Sequence, residues 1–410
     1  HNLGKVYFEI DRPLIPVLAE MERNGVLINK DYLESLNKEY EKILFDIEKK
    51  INTISKEEVN LRSSKQVAEL LFEKLNLPAK KKIKTGYSTD SSVLEDLDGM
   101  GLSEIPGLIL QYREIDKLLS TYIKSLPGMI NSISGRVHTN FGQHTTATGR
   151  LSSNNPNLQN IPVRSTKGKR IRKAFTAGPG NVLLAADYSQ VELRLLAHFS
   201  GDPTMLNAFK NGQDIHAQTA SEILGISLNK VSAADRSKAK AVNFGLMYGQ
   251  SSFGLAKSLG IGRNEARDYI TTYFEKFNKV KSYLDSLKDL AEEKGFSETM
   301  HGRKRFLPDI KSANRNIKSQ AERIAINSPI QGTAADIIKL AMIKIKTELS
   351  ARNLQSKLLL QVHDELIFET PKDELSIMEE LVKTGMEEVV NLKVPLTVDM
   401  GVGQNWFDLK

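Results

Sequence analysis

The sequence predicts an α+β protein: a helical arm, a β-rich body, a helical insertion, then the body again. Three observations carry this. Apolar residues recur at three- and four-residue spacing through most of 11–130 and again from 200 to about 295, the period of amphipathic helices. Short apolar runs, "NVLLAAD" (181–187), "LLLQV" (358–362) and "ELIF" (365–368), have the length of buried strands. Turn-rich connections separate these stretches, with no repeat, low-complexity tract or flexible linker.

In the arm, "PLIPVLAEMERNG", "DYLESLNKEYEKILFDIEKKI" and "SSKQVAELLFEKLNL" read as helices, the last with Ser63 or Ser64 as N-cap. A Lys-rich loop (80–92) and short helices to about 125 follow. Residues 135–162 read as strand, then as polar loop. "NVLLAAD" is a buried strand that ends in an acid. Helices with Gly breaks run from 200, and "SETMHGRKRFLPD" is a loop or short hairpin. A long helix is predicted over Thr333–Leu349, and "VPLTVDMGVG" gives a last strand. Glu9 and Asp11 in "YFEID" read as a lone pair of surface acids.

A chain of 410 residues needs more than one core. No run of about 18 apolar residues is present, so no membrane partner is expected. The absence of cysteine excludes disulfides and thiolate metal sites and fits a reducing cytoplasm. There is no secretory signal, and a start at His1 rather than Met fits a trimmed chain. The formal charge is +7, and its distribution says more than its sum. Basic residues bunch at "KKKIK" (80–84), "KGKRIRK" (167–173) and "GRKR" (302–305); any one cluster reads as solvated surface by default, and the three together equally admit a polyanionic partner.

Three stretches carry chemistry. "AADYSQVELRLLAHFS" (185–200) puts Asp187 at the carboxyl end of a strand, a frequent place for active sites, although a helix-entry residue reads the same way. Ser189 and Glu192 also fit an S-x-x-E capping box. In "RSKAKAVNFGLMYG" (236–249), Arg236, Lys240, Phe244 and Tyr248 recur every four residues and form one helical stripe. Two cations then two rings suit a nucleoside triphosphate, phosphates at one end and sugar and base at the other. The bland alternative is a solvated basic end merging into a core-facing one. Against it, Gly245 and Gly249 each cost about 1 kcal/mol inside a helix. In "QVHDELIF" (361–368), His363, Asp364 and Glu365 interrupt apolar strands, and buried carboxylates need a cation or hydrogen bonds. If Asp187 and Asp364 converge, they can hold two Mg²⁺ ions, since carboxylates without a His/Cys cluster favour a hard cation.

Together and in this order, Asp187-Tyr-Ser-Gln-Val-Glu192-Leu-Arg, Arg236-x3-Lys240-x3-Phe244-x3-Tyr248-Gly249 and His363-Asp364-Glu365 resemble motifs A, B and C of family A DNA polymerases. "TGRLSSNNPNLQNIP" (148–162) and "PIQGTAAD" (329–336) resemble two further blocks of that family, in its bacterial polymerase portion. The resemblance implies a right-hand fold with an antiparallel palm, helical fingers and a helical thumb. It divides the chain into a junction segment (1–10), thumb (11–133), palm (134–200), fingers (201–317) and palm again (318–410). It implies a monomer that extends primer-template DNA with deoxynucleoside triphosphates.

By the same resemblance, Asp187 and Asp364 are metal ligands, Glu365 a supporting carboxylate, and Lys240 a candidate general acid. Arg236, Lys240, Phe244, Tyr248, Gln190 and Glu192 take the nucleotide, with Glu192 as a steric gate against a ribose 2′-OH. His363 positions the primer terminus, and Arg150, Asn157, Asn160, Arg323, Asn327 and Gln331 contact the duplex. Minor-groove acceptors are common to all correct pairs, so such side chains can test pair shape without reading sequence. Lys80–Lys84 and Arg303–Arg305 are candidates for phosphate contacts. The family's acidic exonuclease motif has no counterpart, so no proofreading domain is expected in this chain. Rival readings are a single-subunit RNA polymerase, a catalytically dead DNA-binding subunit and a two-metal nuclease. Glu192, Glu365 and Phe244 speak against the first, intact Asp187, Asp364 and Lys240 against the second, and the Phe244/Tyr248 stripe against the third.

Overall fold

The computed structural model describes residues 3–79, 82–83, 86–163 and 165–409, so Lys80, Lys81 and Lys84 of the first basic cluster lie outside the described residues. At the centre is an antiparallel four-stranded sheet in the order Lys357–Val362, Glu365–Pro371, Asn181–Tyr188, Val398–Gly403. The run Val182–Ala186 is apolar at every position because both sheet faces are covered. Leu184, Ala186, Leu366 and Phe368 join one core with the long helix and the insertion. Leu183, Ala185, Ile367 and Leu360 point the other way, into a second core shared with the arm and Trp406. The alternation follows from the two-residue period of a strand.

The arm is built on the helix Lys30–Ser55, whose buried stripe is Leu33, Leu36, Tyr40, Leu44, Ile47 and Ile51. Asn29 caps it by accepting from the Tyr32 N–H at 2.9 Å, and Ser63 caps the helix that begins at Ser64. The helix Arg12–Asn24, assigned to the arm from sequence, packs with the body instead: Leu14, Val17, Leu18 and Met21 belong to the first core. Arg170 pins the arm to the body through both guanidinium ends on Glu39, at 2.5 and 2.6 Å.

The long helix runs over Arg315–Ala351 and starts 18 residues before the predicted Thr333. Pro329 and Gly332 read as breakers but answer to packing. Pro329 cannot donate to the carbonyl of Ala325, and the Ser297 hydroxyl donates to it instead at 3.1 Å. Gly332 lets Thr299 approach, since a Cβ there would lie 2.5 Å from the Thr299 methyl. Ser297 and Thr299 belong to or adjoin the short hairpin Phe296–Glu298/Lys304–Phe306. No helix among the described residues is long and apolar enough to cross a membrane.

Candidate active site

The sheet register brings the sequence-distant acids together. Asp187 pairs across strands with Glu365 on one side and Asp399 on the other. Asp364 is the second residue of the two-residue turn joining the strands that end at Val362 and start at Glu365. Its carbonyl accepts from the Tyr188 N–H at 3.1 Å, which ties the turn to the end of Asn181–Tyr188. His363, the first turn residue, has φ of 56°. That left-handed conformation costs a non-glycine residue on the order of 1 kcal/mol. It explains why a tight hairpin forms without the Asn-Gly or Asp-Gly signature.

One cavity of about 560 Å³ is lined by Asp187, Gln190, Glu192, His363, Asp364 and Glu365 on the sheet side, and by Arg236, Lys240 and Phe244 on the helix Ala233–Met247. Loss of water around Asp364, whose side chain is 30% exposed, pushes its carboxyl up to about 6; Arg150 opposes the shift, and Glu192 and Asp187 add to it. At this end four carboxylates, Asp187, Asp364, Glu365 and Glu192, meet two guanidiniums. Arg150 donates to Glu192 Oε1 at 2.8 Å and lies 3.9 Å from Asp364. Arg172 is buried against Trp406, 4.1 Å from the ring centroid. Burial pulls the Arg172 pKa down, and the charges of Glu365 and Asp187 oppose that.

Excess negative charge from oxygen donors only fits a hard divalent cation. Asp187, Glu192, Asp364 and Glu365 are the carboxylates on the cavity wall. Among the described residues no group of three or more His, Cys, Asp or Glu has the arrangement of a metal site.

The structure corrects several expectations. Ser189 does not cap: the helix Val191–Ser200 begins after Gln190, which is left-handed (φ 53°) with its side chain making no cap bond. Glu192 is buried, and it accepts from Arg150 and, at 2.5 Å, from the Tyr248 hydroxyl, so the capping box is not formed. Tyr248 follows the end of its helix and does not line the cavity. It stacks on Phe244 with centroids 6.2 Å apart, and burial and Glu192 together push its pKa up. Gly249 (φ 66°) lies beyond the helix, so the helix-interior penalty applies to Gly245 alone, where a Cβ would meet Gln250 at 2.4 Å.

Nor are the basic clusters all outward. Within 167–173, Arg170 holds Glu39 and Arg172 is internal, while Lys169 lines the cavity. Arg303 is no phosphate contact here: its guanidinium forks onto Asp11 at 3.0 and 2.8 Å and donates to Asp336 at 2.8 Å. Asp11 is therefore not a surface acid, though Glu9 is exposed. Arg305 reaches Ser328 at 3.4 Å.

Of the expected duplex contacts, only Arg150 joins the carboxylates. Asn157 and Asn160 are exposed, and Asn160 lies on a groove between arm and sheet that also includes His363. Arg323, Asn327 and Gln331 sit one helical turn apart on Arg315–Ala351, so they share a face. The Gln331 side chain reaches the Tyr248 hydroxyl.

The sequence did not mark three cavity groups, His216, Arg172 and Trp406, nor Asp214, which pairs with the cavity residue Arg236. His216 lines the cavity, buried, its pKa pushed down to about 4 by loss of water, and Asn243 contacts its Nδ1 at 3.1 Å. Asp214 accepts from Arg236 Nε at 2.6 Å. No local signal marks these two, because their partners lie on another helix.

The sequence model of DNA polymerase family A matches residues 30–408. DNA polymerase I of Caldicellulosiruptor bescii is 53% identical over 405 residues, covering 99% of this chain and 47% of that protein. DNA polymerase I of Bacillus subtilis is 48% identical over 407 residues, covering 99% of this chain and 46% of its own length. The chain thus spans about half the length of the curated relatives it matches. A solved polymerase domain of Pol1 from M. smegmatis, in complex with DNA primer-template and dNTP, superposes with a TM-score of 0.93 at 40% identity, covering 98% of this chain and 70% of that one.

Proposed function

Because the chain belongs to DNA polymerase family A, we propose that it extends the 3′ end of a primer on a DNA template with deoxynucleoside triphosphates, acting as a monomer. One observation carries the reading: Asp187 and Asp364 line one cavity with Lys240, Arg236 and Phe244. The cavity is therefore acidic at one end and cationic at the other. In the reaction the primer 3′ oxygen forms a bond to the α-phosphorus, the bond from that phosphorus to the β-phosphate oxygen breaks, and pyrophosphate leaves.

Asp187 and Asp364 would hold two Mg²⁺ ions. Bound there, such ions lower the pKa of the attacking hydroxyl and stabilise charge on the departing pyrophosphate. The chain's own groups do the rest. Lys240 and Arg236, both on the cavity wall, neutralise the triphosphate, and Lys240 would protonate the leaving pyrophosphate. Arg236 must first exchange Asp214 for the phosphates. Phe244 packs on sugar and base. Glu192, fixed by Arg150 and Tyr248, takes up the space a 2′-OH would need.

His363, exposed at the turn, faces the primer end, and Asn157, Asn160, Arg323, Asn327 and Gln331 meet the duplex. Residues 30–129 would form the thumb, the sheet the palm, and 201–317 the fingers, with no proofreading hydrolysis expected from these residues. Primer extension with Mg²⁺, comparing deoxy- and ribonucleotides, tests the reading. Deoxynucleotide addition is expected, lost in Asp187→Ala and Asp364→Ala; extension that survives both changes sinks it.

A further inference from the structure

Arg150 reaches the carboxylates from a loop, and a loop residue needs something rigid behind it. Its backbone turns at Gly149, where φ is 84° and a Cβ would lie 2.6 Å from Arg303 Cδ. Gly149 N–H donates to Thr146 O at 3.4 Å, and the Thr146 hydroxyl donates to Arg150 O at 2.5 Å. Arg303 is thus the floor of the turn. That floor is fixed on every side. Its guanidinium donates to both carboxylate oxygens of Asp11 and to Asp336. Asp336, fully buried, also accepts from Thr299 at 2.8 Å, and fully buried Lys339 lies 3.1 Å from Asp11. Two acids and two bases balance, and their fork geometry fixes the arginine stem as no single contact would.

We propose that Arg303 is a positioning residue: the buried ion cluster it anchors sets the Gly149 turn and thereby aims Arg150 at Glu192 and Asp364. The inference rests on the polymerase reading of that site. It implies that Arg303 acts on turnover without touching substrate, and that a lysine cannot replace it. An ammonium keeps the charge but not the simultaneous reach to Asp11 and Asp336.

The test uses the full chain with Arg303→Lys and, because removing a buried fork can compromise folding, Gly149→Ala, which presses on the same contact from the loop side. Each is measured for kcat of nucleotide addition, for thermal midpoint, and alone or combined with Arg150→Ala. Both are expected to lower kcat roughly ten- to a hundred-fold, as misplacement of a reacting group by about 1 Å does, with little further loss in the Arg150→Ala background. A crystal structure of either variant is expected to show the 2.8 Å contact between Arg150 and Glu192 broken. Losses that multiply with Arg150→Ala, an intact Arg150–Glu192 contact, or a lowered midpoint with unchanged kcat would each overturn the inference. A wild-type chain that extends no primer defeats the polymerase reading alone, and the variant crystal structure then still decides the positioning role.

Discussion

Two charge clusters lie on either side of the Gly149 turn, and they are built on opposite principles. Around Arg303, two carboxylates meet two cations in near-complete hydrogen bonding, and burial is tolerated because every charge has its partner. Around Asp364, four carboxylates meet two guanidiniums, and loss of water, with Glu192 and Asp187 adding to it, pushes the Asp364 carboxyl up to about 6. Balance marks a cluster that holds geometry. Imbalance suits the cation and substrate proposed for the other.

Replacing a proposed metal ligand of the unbalanced cluster should have the largest effect. Asp187→Ala or Asp364→Ala is expected to lower primer extension roughly a thousand-fold or more, since several kcal/mol of charge stabilisation go with the metal; single-turnover extension measures it. Removing a charge from the balanced cluster should instead cost stability. Asp336→Asn leaves the buried Arg303 with one carboxylate partner fewer, and urea unfolding is expected to show a loss of about 3 kcal/mol.

The same neutralisation in the unbalanced cluster should go the other way. Asp364→Asn is expected to stabilise the EDTA-treated protein by about 1 kcal/mol, kept small because the side chain is partly solvated. Mg²⁺ should raise the thermal midpoint of the wild type and not of the variant. If both substitutions destabilise alike, the contrast between the clusters is false.

Glu192 sharpens the contrast, since its charge pairs with Arg150 while its bulk is the proposed gate. Glu192→Ala should admit ribonucleotides roughly ten-fold or more better, and the near-isosteric Glu192→Gln should still exclude them. Equal admission by both variants would shift the selectivity from bulk to charge.

The smallest effect is on pH. Burial raises the Asp11 pKa, but Arg303 and Lys339 bring it below the usual carboxylate value. Its folded pKa is then lower than its unfolded one, so its contribution is complete above the unfolded value of about 3.9. The contribution is lost as pH falls through the lower folded value. Asp11→Asn should lower the unfolding midpoint across pH 5–8, because Arg303 and buried Lys339 both lose a partner, and should flatten its acid limb below about pH 4.

Much of this was legible beforehand. The Lys30–Ser55 stripe, the apolar strand that carries Asp187 and the Arg236, Lys240 and Phe244 positions of the helical stripe follow from local period and residue type; Tyr248, the fourth expected position, falls beyond the helix end. Helix ends were less legible. Pro329 and Gly332 look like breaks until Ser297 and Thr299 are seen to require them.

The sequence by itself determined which residues alternate, which acids end strands and which family the motifs resemble, because these depend on neighbours a few residues apart. Only the tertiary structure decided that Arg303 faces inward, that Asp11 is no surface acid, and that Glu192 faces Arg150 and Tyr248 instead of capping its helix. Arg303 and Asp11 are 292 positions apart, and Glu192 and Tyr248 are 56 apart. A charge reads as solvated surface until its partner is known, and partners that distant are set by the packing of whole elements.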